Sequence, residues 1–259
     1  MKFNQVYNLD VFKFLDSLEE ESIDLAIIDP PYNRLDAEWD NFKNESDFFN
    51  FTYQWIDKLI PKLKRTASIY IFNTPQNCAK IMLYLIEKGL VFRNWITWYK
   101  KDGFNGSKKK YVNNQETILF FSVSNNYTFN QDEIRVPYLS TERLKYSKGI
   151  LKNGRRWIPN SLGKLCTDVW EISSDRHQNK VEGRIKKNIH PSPKPEDMIE
   201  RMIRASSKEG DLVLDLFSGT GTTSTVAKRL KRDFIGCELN ELYYKNAVLR
   251  INKAELTPN

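Results

Sequence analysis

The sequence predicts a doubly wound α/β fold on a mainly parallel sheet. Three observations lead there. Short apolar runs rich in β-branched residues alternate with amphipathic stretches of helical period, one strand ends on a carboxylate, and another runs into a glycine turn near the far end of the chain. Strands alternating with helices imply right-handed crossovers and a sheet covered on both faces. At 259 residues the chain can bury a sizeable core, as one large domain or as a domain carrying an insertion.

Taken in order, residues 23–28 (IDLAII) are short and apolar on both faces, which marks an interior strand of a parallel sheet. Residues 46–63 repeat apolar groups at helical spacing from a Ser46 cap. A strand at 68–72 (SIYIF), a helix at 76–87 after Thr74 and Pro75, and strands at 91–98 and 117–121 come next. Between the last two, KKDGFNGSKKKYVNN at 100–114 carries two glycines and the triplet Lys108, Lys109, Lys110, and reads as a mobile loop. The interval 125–188 is richer in Lys, Arg, Asn, Ser and Gly and weak in periodicity, so it reads as an inserted module. It carries Arg143, the run Arg155, Arg156, Trp157, and Arg176. Strands at 212–216 and 233–237 and an amphipathic helix at 241–255 complete the chain.

Forty Lys and Arg against 33 Asp and Glu give a formal charge of +7 and a pI near 9.1, compatible with an anionic partner. A lysine run by itself is more often a solvated surface. Guanidinium groups such as Arg155 and Arg156 suit phosphates and guanine edges, but also local surface ion pairs. Three cysteines at 78, 166 and 237 form neither a metal-ligand spacing nor an even disulfide set, which points to a reducing, cytoplasmic setting. No segment reads as an export signal or a membrane span.

The first chemical signal is Asp29, Pro30, Pro31, Tyr32. In parallel sheets, ligands bind at the carboxyl ends of the strands, and Asp29 sits at that lip. The prolines fix φ and remove two amide donors, leaving local carbonyls to accept from something else. An Asp-capped turn is the plain structural alternative. The second signal is DLVLDLFSGTGTTSTVAKRL at 211–230, an apolar strand, Gly219 and Gly221, then a helix. It matches the first two glycines of the nucleotide turn, with Ser224 where the third would stand. Such glycines permit close approach of a ligand, and the helix aims its positive end and free amides at it. Glu238 closes the next strand, where an acidic side chain accepts both ribose hydroxyls. Strand, glycines, helix, strand and acid together indicate a nucleoside-containing cofactor. Only 38 residues follow Gly221, so the rest of the sheet comes from upstream and the element order is permuted, with strand 23–28 beside strand 212–216.

With DPPY at 29–32 and DLFSGTGTT at 215–223 on one permuted sheet, the sequence resembles the S-adenosylmethionine-dependent DNA amino-methyltransferases of the β class. HPSPKP at 190–195 is similar to that family's His-Pro-x-x-Lys-Pro segment, and NLDVFKFL at 8–15 to its acidic segment near the cofactor adenine. The resemblance implies a Rossmann-like methyltransferase fold of permuted order. It divides the chain into a catalytic half at 1–124, a target-recognition insertion at 125–188 and a cofactor-binding half at 189–259. It implies S-adenosylmethionine as cofactor, held by Asp10, Asp29, His190, Pro191, Lys194, Pro195, Asp215, Phe217, Ser218, Gly219, Gly221, Thr222 and Glu238. Double-stranded DNA is the implied partner, met by Lys108, Lys109, Lys110, Arg143, Arg155, Arg156 and Arg176, in a bacterial cytoplasmic setting, and many relatives are homodimers.

Under that resemblance Asp29 and the Pro30 carbonyl accept the two N–H groups of an exocyclic base amine, so that its lone pair is aimed at the sulfonium methyl. Tyr32 stacks on the flipped base, Pro31 stiffens the turn, and no metal is needed. Methylation of cytosine C5 is disfavoured, because related families place the nucleophilic cysteine after a proline and Cys78, Cys166 and Cys237 follow Asn, Leu and Gly. Adenine N6 is favoured over cytosine N4 by Asp rather than Ser before Pro-Pro-Tyr, on resemblance alone. A nicotinamide-dependent oxidoreductase would use Gly219, Gly221 and Glu238 but leave DPPY idle. A DNA-binding protein without catalysis would not need DPPY intact.

Overall fold

The structure, a computed structural model, describes residues 1–33, 40–100, 109, 111–145, 149–173, 180–181, 184–185 and 194–254. The chain opens with β1 (Gln5–Tyr7) and α1 (Val11–Asp16). Next come β2 (Ile23–Ile28), α2 (Glu45–Leu59), β3 (Leu63–Asn73), α3 (Pro75–Glu87), β4 (Val91–Tyr99) and β5 (Gln115–Ser122). A hairpin of β6 (Ile150–Lys152) and β7 (Arg155–Trp157), the strand β8 (Val169–Glu171), and a small pair, β9 (Lys180–Val181) with β10 (Arg184–Ile185), occupy the middle. The chain closes with α4 (Glu196–Ser206), β11 (Leu212–Asp215), α5 (Thr222–Arg229), β12 (Asp233–Cys237) and α6 (Glu241–Lys253).

Among the described residues the main sheet has the order β1-β12-β11-β2-β3-β5-β4-β8. All neighbours pair in parallel except β5, which is antiparallel to both β3 and β4. The two faces are read off alternate residues. Ala26, Ile28, Ile69 and Ile71 pack against Phe14 and Leu15 of α1, Trp55 and Ile56 of α2, and Ile81 and Leu85 of α3. Leu25, Ile27, Tyr70 and Phe72 pack against Met198 and Met202 of α4, Val226 of α5 and Ala247 of α6. This is the doubly wound arrangement of the sequence reading, and β11 does lie beside β2.

Several boundaries differ from the sequence expectation. Asn44, not Ser46, caps α2, its side chain accepting the Asp47 N–H at 2.8 Å. The helix stops at Leu59 because Pro61 cannot continue it, and Leu63, whose apolar side chain suited either period, opens β3 instead. The first strand and helix were too short for periodicity to mark. Inside the interval 125–188, Trp170 of β8 is buried against the sheet, and the Trp98 Nε1–H donates to the Ile172 carbonyl at 2.8 Å. Near its start, the Asn130 side-chain amide donates to the Arg204 and Ser207 carbonyls at 2.9 Å. The interval is thus stitched to the sheet and to α4.

Candidate active site

Parallel strands present their carboxyl ends along one edge, so pairing Leu25 with Val213 and Ala26 with Leu214 brings the turn after β2 next to the turn after β11. Asp29 leaves β2 there and faces the glycine turn. The cleft between them is lined by Ile27, Asp29, Phe72, Lys194, Asp215 and Phe217, with the turn residues Ser218, Gly219 and Thr222 among its walls. Both oxygens of Asp29 carry donors. The Tyr32 hydroxyl donates to Oδ1 at 2.8 Å and the Lys194 ammonium to Oδ2 at 2.6 Å.

Lys194 is 7% exposed and reaches a second carboxylate, Glu116, at 3.8 Å. Glu116, from β5, is itself ion-paired with Lys100. Burial works against the Lys194 charge, but Asp29 and Glu116 outweigh it and hold the ammonium above the usual lysine range. The ammonium also lies 5.4 Å from the centre of the Tyr32 ring and 5.2 Å from that of Phe72. Burial, then the charges of Asp29 and Glu116, push the Tyr32 phenol well above its ordinary range, so it remains a donor at neutral pH. Pro30 and Pro31 are buried. Beyond Tyr32 a second depression, of about 460 Å³, is lined by Asn33, Thr74, Gln76, Asn77 and Gln115.

The glycine turn is built as its sequence demands. Gly219 and Gly221 adopt φ of +50° and +76°, and a Cβ on Gly221 would come within 2.9 Å of the Ala247 Cβ of α6. Glu238 braces the turn, accepting the Gly219 N–H on one oxygen and the Asn240 N–H on the other, each at 2.8 Å. Burial nevertheless raises its carboxyl above the ordinary glutamate value. Asp215 ends β11, and burial lifts its carboxyl to about 7, while the Thr223 hydroxyl and the Phe217 N–H pull the other way. Asp10 serves as the N-cap of α1, accepting the Phe12 N–H at 2.9 Å, beside the end of β1. Pro195, immediately after Lys194, stands at the N-cap position of α4. Thr222 accepts from Arg250, whose other nitrogen holds Glu196 at the start of α4.

His190, Pro191, Lys108, Lys110 and Arg176 lie outside the described residues, as does the side chain of Arg143 on a 3₁₀ turn at Thr141–Lys145. Lys109 is exposed, and Arg155 and Arg156 are exposed on β7. Burial holds the thiols of Cys78 and Cys237 far above their ordinary range, which leaves neither as a nucleophile. Sequence reasoning missed Glu116, Asp40 and Asn77, which stand in or against this site. Only Glu116 had a signal, a charge at the start of the apolar strand ETILFF, much as Asp29 ends one.

A family profile described as DNA methylase matches residues 23–249. The chain is 54% identical over 258 residues to the type II methyltransferase M1.MboII of Moraxella bovis, covering 99% of each. In structure it is similar to the PvuII DNA methyltransferase (cytosine-N4-specific), with a TM-score of 0.71 at 19% identity over 95% of this chain and 85% of that one. It is also similar to the M1.HpyAVI-SAM complex, with a TM-score of 0.65 at 24% identity over 96% and 98%. At these identities the structural likenesses speak for the fold.

Proposed function

Since the chain belongs to the N6/N4 DNA methylase family, we propose that it transfers a methyl group from S-adenosylmethionine to adenine N6 in double-stranded DNA, as the modification enzyme of a type II restriction–modification system. The observation that carries the reading is the juxtaposition of Asp29 with the glycine turn across one cleft. The residues fit the cofactor. Gly219 and Gly221 keep side chains out of the turn, and Asp215 sets a buried carboxyl group in the cleft wall where a cationic ligand would compensate it.

S-adenosylmethionine supplies the electrophilic methyl group. Asp29 accepts one N–H of the flipped amine, and the Pro30 carbonyl, whose nearest downstream amides, those of Tyr32 and Asn33, are given to Asp40, accepts the other. Both bonds favour a pyramidal nitrogen with its lone pair directed across the cleft, so the chain contributes positioning and electrostatics. Tyr32 presents its ring to the base and its hydroxyl to Asp29, coupling stacking to the orientation of the carboxylate. Lys194 gives that carboxylate its counterion. Adenine rather than cytosine rests on the Asp-Pro-Pro-Tyr form of the motif. The cluster around Arg155 and Arg156 supplies a phosphate-binding surface. Incubation of unmodified DNA with methyl-tritiated S-adenosylmethionine, followed by nucleoside analysis, is expected to place the label on N6-methyladenine. Label on N4-methylcytosine, or none, would overturn the assignment.

A further inference from the structure

Two consecutive prolines create a problem that DPPY cannot solve alone. Neither has an N–H, so the turn leaving β2 lacks the amide donors that ordinarily tie a loop down. The next two amides are both held by one side chain. Tyr32 N–H and Asn33 N–H converge on Oδ1 of Asp40, the latter at 2.7 Å, and Asp40 is 1% exposed. Asn33 stands at φ +55°, the left-handed region in which consecutive amides turn toward a common anion. The opposite pole of the same residue's backbone is held too. The Tyr32 carbonyl accepts from Asn77 Nδ2 at 3.0 Å, and that amide donates as well to Asn73 Oδ1 at 2.7 Å, at the end of β3. The Asn77 N–H in turn bonds the Thr74 cap of α3 at 3.2 Å.

We infer that Asp40 and Asn77 are positioning residues for methyl transfer. Neither touches the reacting atoms. Asp40 draws the backbone of Tyr32 from its amide side and Asn77 from its carbonyl side, so the ring, the hydroxyl bonded to Asp29 and the Pro30 carbonyl two residues upstream are set relative to β3 and α3. A carboxylate acceptor suits this task, because charge-assisted hydrogen bonds are shorter and stiffer than neutral ones. The inference rests on the methyltransferase reading, and it concerns alignment and not cofactor binding, since the glycine turn and Glu238 share none of these bonds.

The test uses the full-length chain with unmodified DNA and three variants, Asp40→Ala, Asp40→Asn and Asn77→Ala. Single-turnover methyl transfer and the dissociation constant for S-adenosylmethionine are measured for each. Loss of alignment by an ångström costs on the order of a hundredfold in rate, which is the drop expected for Asp40→Ala, with cofactor affinity within about twofold of wild type. Asp40→Asn keeps a carbonyl oxygen at the converging point and should recover to within about tenfold of wild type. Asn77→Ala, which frees only the carbonyl side, should lose roughly tenfold. A rate for Asp40→Ala within about threefold of wild type overturns the inference, as does an equal loss in the Asn variant or a parallel loss of cofactor affinity. If Asp40→Ala does not fold, the other two decide, and an unchanged Asn77→Ala rate overturns it. Absence of transfer by the wild-type chain would instead sink the methyltransferase reading itself.

Discussion

Replacing Lys194 with methionine removes one positive charge from between two carboxylates. The ammonium is 7% exposed and lies 2.6 Å from Asp29 and 3.8 Å from Glu116, whose side chains are 28% and 12% exposed. Taking one partner from a buried ion pair costs about 3–5 kcal/mol, because the remaining charge keeps its desolvation without compensation. Asp29 reaches some solvent and Glu116 retains Lys100, so the lower end, about 3 kcal/mol, applies here. For a chain of this size each kcal/mol lowers the melting temperature by roughly 2–4 °C, which gives a fall of about 6–12 °C at neutral pH. The double variant Lys194→Met with Glu116→Gln removes the second charge and should recover part of that loss, although Lys100 then loses its own partner. Thermal unfolding followed by circular dichroism measures all four corners of the cycle. A Lys194→Met melting point within about 2 °C of wild type, or a double variant no more stable than Lys194→Met, would refute the reasoning.

Asp29→Ala is expected to abolish transfer while cofactor binding persists, since the glycine turn is untouched, and a residual rate above a few per cent of wild type in the tritium assay would contradict the catalytic assignment. Asp215 titrates near 7 when folded and near 3.8 when unfolded, so a proton is retained only by the folded state between those values, and stability falls as pH rises through that window and levels off above it. Asp215→Asn should therefore be more stable than wild type by on the order of a few kcal/mol at about pH 8, with the difference shrinking toward about pH 4; denaturant melts showing a pH-independent difference would contradict this. Replacing Arg155 and Arg156 with glutamine should flatten the dependence of log affinity for DNA on log salt by about 0.9 for each phosphate they neutralise, and an unchanged slope in fluorescence anisotropy would remove them from the DNA surface.

Much of the frame was legible because it is written in contiguous residues. Strand Ile23–Ile28 shows an interior strand in its own composition, and Leu212–Asp215 followed by Gly219 and Gly221 shows a strand, turn and helix in a single stretch. Less of the rest could be read. Gln5–Tyr7 pairs with β12 over three residues, too few for any period, and the start of β3 at Leu63 depended on where α2 would stop. Asp10 and Glu238 were singled out as acids near strand ends, and their carboxylates are seen holding backbone amides, a use that residue type and position do not distinguish from contact with a nucleoside.

The features that could be read in advance obey rules acting within one or two residues. Proline fixes φ and lacks a donor, glycine alone accepts φ of +76° against the Ala247 side chain, and a β-branched run between turns prefers a buried strand. These were enough to place Asp29 at one strand end and the glycine turn at another. Their partners come from the assembled fold. Lys194 reaches Asp29 across 165 positions, Glu116 joins through β5, and Asp40 and Asn77 hold the Tyr32 backbone from opposite sides. Such partners are chosen by strand order and by the low dielectric of the cleft, where a charge must find its counterion and an amide its acceptor. That choice belongs to the assembled sheet, because no local pattern encodes the distance between residues that folding alone brings together.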